Sequence, residues 1–134
     1  MDDSFGRNRP AAFIEPSRTY LADTCTPLAA AMRRGEVRLA ALARAPYPGR
    51  PLPAGILPGV RSIGFWDAGR DQSWGLLEHR NEGVELTYLE RGRLGFGVGR
   101  RRYALEAGAL TVTRPWQPHR VGLPRVTAGR LHWL

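Results

Sequence analysis

The rhythm of apolar positions changes near residue 60. Before it, apolar residues are scattered or helically spaced; after it, they fall in short alternating runs. Residues 1–20 scatter Phe5, Phe13, Ile14 and Tyr20 among Gly, Pro, Arg and Asp without a period, and read as an arm ordered only where it docks. Thr26-Pro27 predicts a helix start, with Thr26 as N-cap and Pro27 at the first helical position, where a missing N–H removes no hydrogen bond. Leu28 and Met32 fall on one face of that helix, and Gly35 is its expected stop. Glu36 to Arg44 fits two periods: Leu39, Leu42 and Ala43 suit a helix, whereas Val37, Leu39 and Ala41 suit a strand. Helix is the expectation carried forward. Pro46 to Gly59 is a breaker-rich connector.

The second half predicts short strands at residues 61–67, 73–81, 84–90, 93–98, 101–105, 109–113, 119–122 and 126–134. Turns are expected at Glu82-Gly83, Arg91-Gly92, Gly99-Arg100 and Ala107-Gly108. Strands this closely spaced point to an antiparallel sandwich or barrel. No helical pattern separates them, which argues against a parallel sheet, whose crossovers need helices. The chain therefore divides into an arm and helical lead-in over residues 1–59 and a barrel over residues 60–134.

Composition narrows the class. At 134 residues one domain is expected. Hydrophobic residues at 43% and charged residues at 24% exclude wholesale disorder, and a single Cys excludes an internal disulfide framework. No apolar run approaches the roughly 18 residues of a spanning helix, and Met1-Asp2-Asp3-Ser4 lacks the basic and apolar regions of a signal peptide. A cytoplasmic protein without a membrane partner is the expectation. The net charge is +8, and every basic residue is Arg. The excess is dispersed, and Arg100-Arg101-Arg102 is its tightest run, read as a solvated hairpin tip. No DNA-reading motif accompanies it, so direct DNA binding is not expected.

Two segments carry candidate chemistry. In Glu78-His79-Arg80-Asn81-Glu82-Gly83-Val84-Glu85, the residues His79, Asn81 and Glu85 share parity and would point to one face of an extended chain, with Gly83 permitting a bend. The second segment runs from Gly108 through Arg114-Pro115-Trp116-Gln117-Pro118 to His119. In a barrel with these strands adjacent, His79, Asn81, Glu85 and His119 are expected to converge. Two imidazoles and a carboxylate suit Fe(II), Mn(II) or Zn(II). With Asn81 and Arg114 the same groups supply the donors and acceptors a polyol needs, and Trp116 or Trp74 offers a face for a sugar ring. A purely structural polar network is the third alternative. The candidate ligand-binding residues are His79, Asn81, Glu85, Arg114, Trp116 and His119; a metal, if bound, would fall to His79, Glu85 and His119. Cys25 beside the helix start is expected to feel a lowered thiol pKa, but without a nearby His signature it reads as packing. Gly95-Phe96-Gly97-Val98-Gly99 looks like a phosphate loop but leads into a strand, so it is discounted. His132 and Trp133 read as core and rim.

The spacing of His79, Asn81, Glu85 and Gly92 resembles the first cupin motif, with Asn81 where a second His is usual. Gly108 and His119 resemble the second, with Arg114, Trp116 and Leu123 at its usual Pro, Gly and Asn positions. More widely, Trp74-Gly75, His79 to Glu85, Tyr88, Gly92, Tyr103-Ala104-Leu105, Gly108 and Pro115 to His119, with the closing Leu131-His132-Trp133-Leu134, resemble the effector-sensing cupin domain of AraC-type transcription regulators. The resemblance implies an all-β, jelly-roll-like antiparallel barrel with a short helical N-terminal extension, sensing a small polar, sugar-like effector without catalysis and without a cofactor. It also implies DNA contact only through a helix-turn-helix module; none follows Leu134, so a truncated regulator or a stand-alone sensor is expected. The arm over residues 1–20 is expected to fold across the barrel mouth when ligand is present. The alternative is a metal-dependent cupin enzyme, an isomerase or dioxygenase acting on a small polar substrate. A further reading is an interaction module, a possible homodimer, pairing through an unpaired terminal strand at Leu131 to Leu134.

Overall fold

Strands dominate the computed structural model, which describes residues 9–134. In chain order the elements are β1 (Ala12–Glu15), β2 (Arg18–Leu21), α1 (Thr26–Arg33), β3 (Val37–Ala43), β4 (Arg50–Pro51), β5 (Ser62–Ala68), β6 (Leu76–His79), β7 (Glu85–Val98), β8 (Arg101–Glu106), β9 (Leu110–Thr113), β10 (His119–Val121) and β11 (Gly129–Trp133). The expected all-β architecture, with a short helical element near the N-terminus, is the one observed. No helix among the described residues is long and apolar enough to cross a membrane.

β1 and β2 form a separate hairpin, and the other strands run β4-β3-β5-β11-β7-β10-β6, with β8 and β9 also paired to β7. All of these pairings are antiparallel except the two-residue contact of β3 with β4. The long β7 organises the fold. Its N-terminal half lies between β11 and β9, and its C-terminal half between β10 and β8. At the junction stands Gly92 with φ 93, and the register against β11 slips between Arg130 and Leu131. This is a β-bulge, which bends a strand without ending it. The turn expected at Arg91-Gly92 is therefore absent, and the two strands expected around it are one.

The bend lets two half-sheets share a core. Trp66, Leu89 and Leu131 come from one, Leu76, Phe96 and Val121 from the other, and α1 adds Leu28 and Ala31. Burying each large side chain contributes about 1.5–3 kcal/mol. Gly95 and Gly97 lie against Leu123, where a Cβ on Gly95 would strike the Leu123 carbonyl oxygen. Close packing thus accounts for Gly95 and Gly97, whereas Gly99 has open space around it and a φ of 55 in the β7–β8 turn.

Several local expectations change. Residues 37–43 form a strand, not a helix, because all seven of them pair with β5, and Val37 and Ala43 are buried at its ends. β3 and β4 thereby belong to the same sheet as β5. Helix α1 begins at Thr26 with Cys25 as its N-cap in a left-handed conformation (φ 52), one residue earlier than expected. It buries Leu28 and Ala31, leaving Met32 37% exposed, because the stripe facing the core is narrow. Within the expected arm, residues 12–21 form the β1–β2 hairpin, with Phe13 opposite Tyr20; residues 1–8 lie outside the described residues. Finally, β11 lies between β5 and β7, so the terminal strand has both edges paired and offers no edge for association.

Candidate functional site

β10 sits between β6 and β7, which puts His119 opposite His79 on one side and Val98 on the other. The two imidazole rings meet edge to face with centroids 4.1 Å apart. Glu85, the first residue of β7, places Oε2 3.1 Å from His119 Nε2, and Asn81 Nδ2 donates to the same carboxylate oxygen. His119 is 1% exposed and lies beside Phe96. The parity expected of His79, Asn81 and Glu85 thus becomes a single cluster, which β10 completes.

The imidazole tautomers follow from the backbone. His79 Nδ1 is 2.7 Å from the Leu77 carbonyl oxygen, and His119 Nδ1 is 2.9 Å from that of Gln117. A carbonyl oxygen only accepts, so Nδ1 carries the proton in both rings, and in a neutral ring Nε2 bears a lone pair. For His119 that lone pair faces a carboxylate. Two acceptors at hydrogen-bond distance repel unless a cation, a proton or a metal, lies between them. Burial opposes charge on His119, but the hydrogen bond from Nε2 to Glu85 and the carboxylate's charge outweigh it, and the pKa is raised. His79 moves the other way: burial first, then the neighbouring His119, lowers its pKa. His79, Glu85 and His119 each offer one ligand atom, all within 4.8 Å of one another. Nδ1–H bonds to backbone carbonyls are the support that metal-ligating histidines commonly have.

A cavity of about 320 Å³ lies between the half-sheets. Its walls are apolar: Leu28, Trp66, Leu76, Val121, Leu131 and Trp133. His79, Asn81 and Glu85 form a polar end, with His119 behind them rather than on the cavity surface. On a more exposed side, Tyr47 donates its hydroxyl to Glu82 Oε1 at 3.2 Å, and Arg61 Nε reaches the same atom at 3.2 Å. Burial first, then Glu82, raises the Tyr47 pKa, so the phenol stays protonated. Cys25 also lines the cavity. Its thiol was expected to be acidified by the helix start; burial and then Asp23 push its pKa well up instead.

Arg114 and Trp116 do not join this cluster. Trp116 has φ 61, and its ring stacks on Phe13 of β1 with centroids 5.5 Å apart. Only its backbone touches the site: its N–H donates to the Asn81 carbonyl, and its own carbonyl accepts from Arg80. Arg114 is exposed and lines a separate hollow with Trp116. Trp74 packs against the core rather than lining the cavity. Sequence reasoning missed Tyr47, Arg61 and Glu82, which come from a connector, a strand edge and a turn, and no periodic signal marks such positions.

No protein-family model matches the sequence, and no curated protein matches it either. Solved structures similar to it include a cupin superfamily protein from Desulfitobacterium hafniense, at 10% identity and a TM-score of 0.49, covering 72% of this chain and 74% of that one. The apo form of HppE is similar at 13% identity and a TM-score of 0.41, covering 92% of this chain; the chain spans about half (52%) of HppE's length.

Proposed function

We propose that the protein is a cupin-type small-molecule-sensing domain of the AraC regulator kind, with the cavity between the half-sheets as its effector site. The observation that carries this reading is the cavity itself, a mostly apolar chamber with a polar end built from His79, Asn81 and Glu85 and a second polar side at Tyr47, Arg61, Ser62 and Glu82. Its walls refine the ligand. A fully hydroxylated sugar would leave hydroxyls unpaired against Leu28, Trp66, Leu76 and Leu131, and each unpaired group costs about 1–3 kcal/mol. The effector is a compact molecule with an apolar body and few polar groups, one of them seated at the cluster. In this reading DNA is reached through a separate helix-turn-helix module. Calorimetric titration against a metabolite panel tests it: heat is expected from amphipathic compounds, with polyols silent. A folded sample silent to the entire panel overturns it.

A second reading, a metal-dependent cupin enzyme, is favoured by one observation: both imidazoles hold Nδ1–H against backbone carbonyls, and His79, Glu85 and His119 each offer a ligand atom within 4.8 Å of the others. His79, Glu85 and His119 would hold a divalent ion, which would supply a Lewis acid at the polar end of the cavity. Elemental analysis of protein purified without chelator or metal resin separates the two readings. Near-stoichiometric Fe, Mn or Zn, lost in His79→Ala, supports the enzyme.

A further inference from the structure

The hollow that takes Arg114 and Trp116 has its own chemistry. It has a volume of about 740 Å³ and is also lined by Arg100, Arg101, Tyr103 and Gln117. It lies between the β7–β8 turn and the Arg114–Pro118 segment, and no carboxylate lines it. Several arginines elsewhere pair with carboxylates (Arg38, Arg91 and Arg130 share Asp67, Arg120 meets Glu78, and Arg125 meets Asp71), whereas others among the described residues, such as Arg33, Arg50 and Arg70, stand singly on the surface. Among the described residues, Arg100, Arg101 and Arg114 have no ion-pair partner. Three unneutralised guanidiniums facing one concavity concentrate positive potential there.

The hollow is also structured. Arg101 and Tyr103 alternate along β8 and so share a face. The Arg114 N–H donates to Gln117 Oε1 at 3.0 Å, which closes the turn under its side chain. Trp116 is held by its backbone bonds to Asn81 and Arg80 and by the stack on Phe13.

We propose that this hollow binds a nucleoside phosphate. The guanidinium forks of Arg100, Arg101 and Arg114 match phosphate oxygens, and Tyr103, 44% exposed, with Trp116 beside it, offers aromatic surface to a base. The volume of about 740 Å³ falls within the roughly 300–1,000 Å³ typical of small-molecule sites. The site is separate from the cavity, so it does not depend on the sensing reading.

Calorimetry on the full chain at low salt, with ATP, tripolyphosphate and adenosine as probes, tests it. ATP is expected to bind, tripolyphosphate more weakly, and adenosine not at all, with affinity falling as salt rises. Arg101→Gln and Arg114→Gln should each weaken ATP about tenfold, and Tyr103→Thr should bring ATP down to the level of tripolyphosphate. All three side chains are exposed, so unchanged melting curves are expected to accompany these losses. The assignment is overturned by absence of ATP binding, by undiminished binding in both arginine variants, or by ATP binding no tighter than tripolyphosphate. A single-stranded oligonucleotide binding more tightly per phosphate than ATP would overturn the small-ligand assignment as well.

Discussion

His119 is the residue on which the site turns. It is buried, its Nδ1–H is committed to the Gln117 carbonyl, and its Nε2 faces Glu85. Two imidazoles 4.1 Å apart are thereby pushed in opposite directions. Proton-detected titration of the ring resonances should show His79 titrating below, and His119 above, the ordinary histidine value of about 6.5. Glu85→Gln should lower the His119 value; equal titration of the two rings would contradict the assignment. The stability consequences oppose each other. The raised pKa of His119 gives stabilisation that is full below about 6.5 and lost as pH rises through its folded value, whereas the lowered pKa of His79 removes stability as pH falls below about 6.5. At this scale the sequence was partly legible. Shared parity marks His79, Asn81 and Glu85, but nothing in the letters tells that Trp116, a non-glycine, adopts φ 61 and leaves the cluster.

At the scale of elements, the bulge and the glycine contacts of β7 decide the shape. Gly95→Ala would drive a methyl group into the Leu123 backbone, and overpacking of this kind costs about 1–3 kcal/mol, read as a lower denaturation midpoint. An unchanged midpoint would mean that the 122–125 turn yields freely. The β1–β2 hairpin is held by Phe13 on Trp116 and by Tyr20, whose ring lies under the Arg80 guanidinium at 3.9 Å. Phe13→Ala should cost about 1 kcal/mol and raise hydrogen exchange in residues 12–21 ahead of the rest of the chain. Most strand positions after residue 60 were readable because alternation and turn residues coincide; Arg91-Gly92 was not, since a glycine at a bulge reads like one at a turn. Nor was β3, since its small apolar residues satisfy both periods and the choice is made by a partner strand distant in sequence, β5.

At the scale of the whole molecule, one carboxylate ties its own strand to three others: Asp67 of β5 meets Arg38 of β3, Arg91 of β7 and Arg130 of β11. The hydrogen bond from Arg130, ahead of the charges of Arg91 and Arg38, lowers the Asp67 pKa. Asp67→Asn should therefore lower stability at neutral pH and erase the part of the acid destabilisation that sets in as pH falls below about 4, measured by urea midpoints at both pH values. The all-β class was legible from strand spacing, but the ligand's character was not. Parity locates the polar end of the cavity, whereas its apolar walls come from five different elements that no local pattern connects. The most direct test of the central claim is to follow the His79 ring resonances while the protein is titrated with small aromatic alcohols, amides and carboxylates. Binding in the cavity predicts that at least one such compound shifts the His79 signals at saturation and fails to do so in Glu85→Ala. A folded protein whose His79 signals stay fixed through the whole series would contradict it.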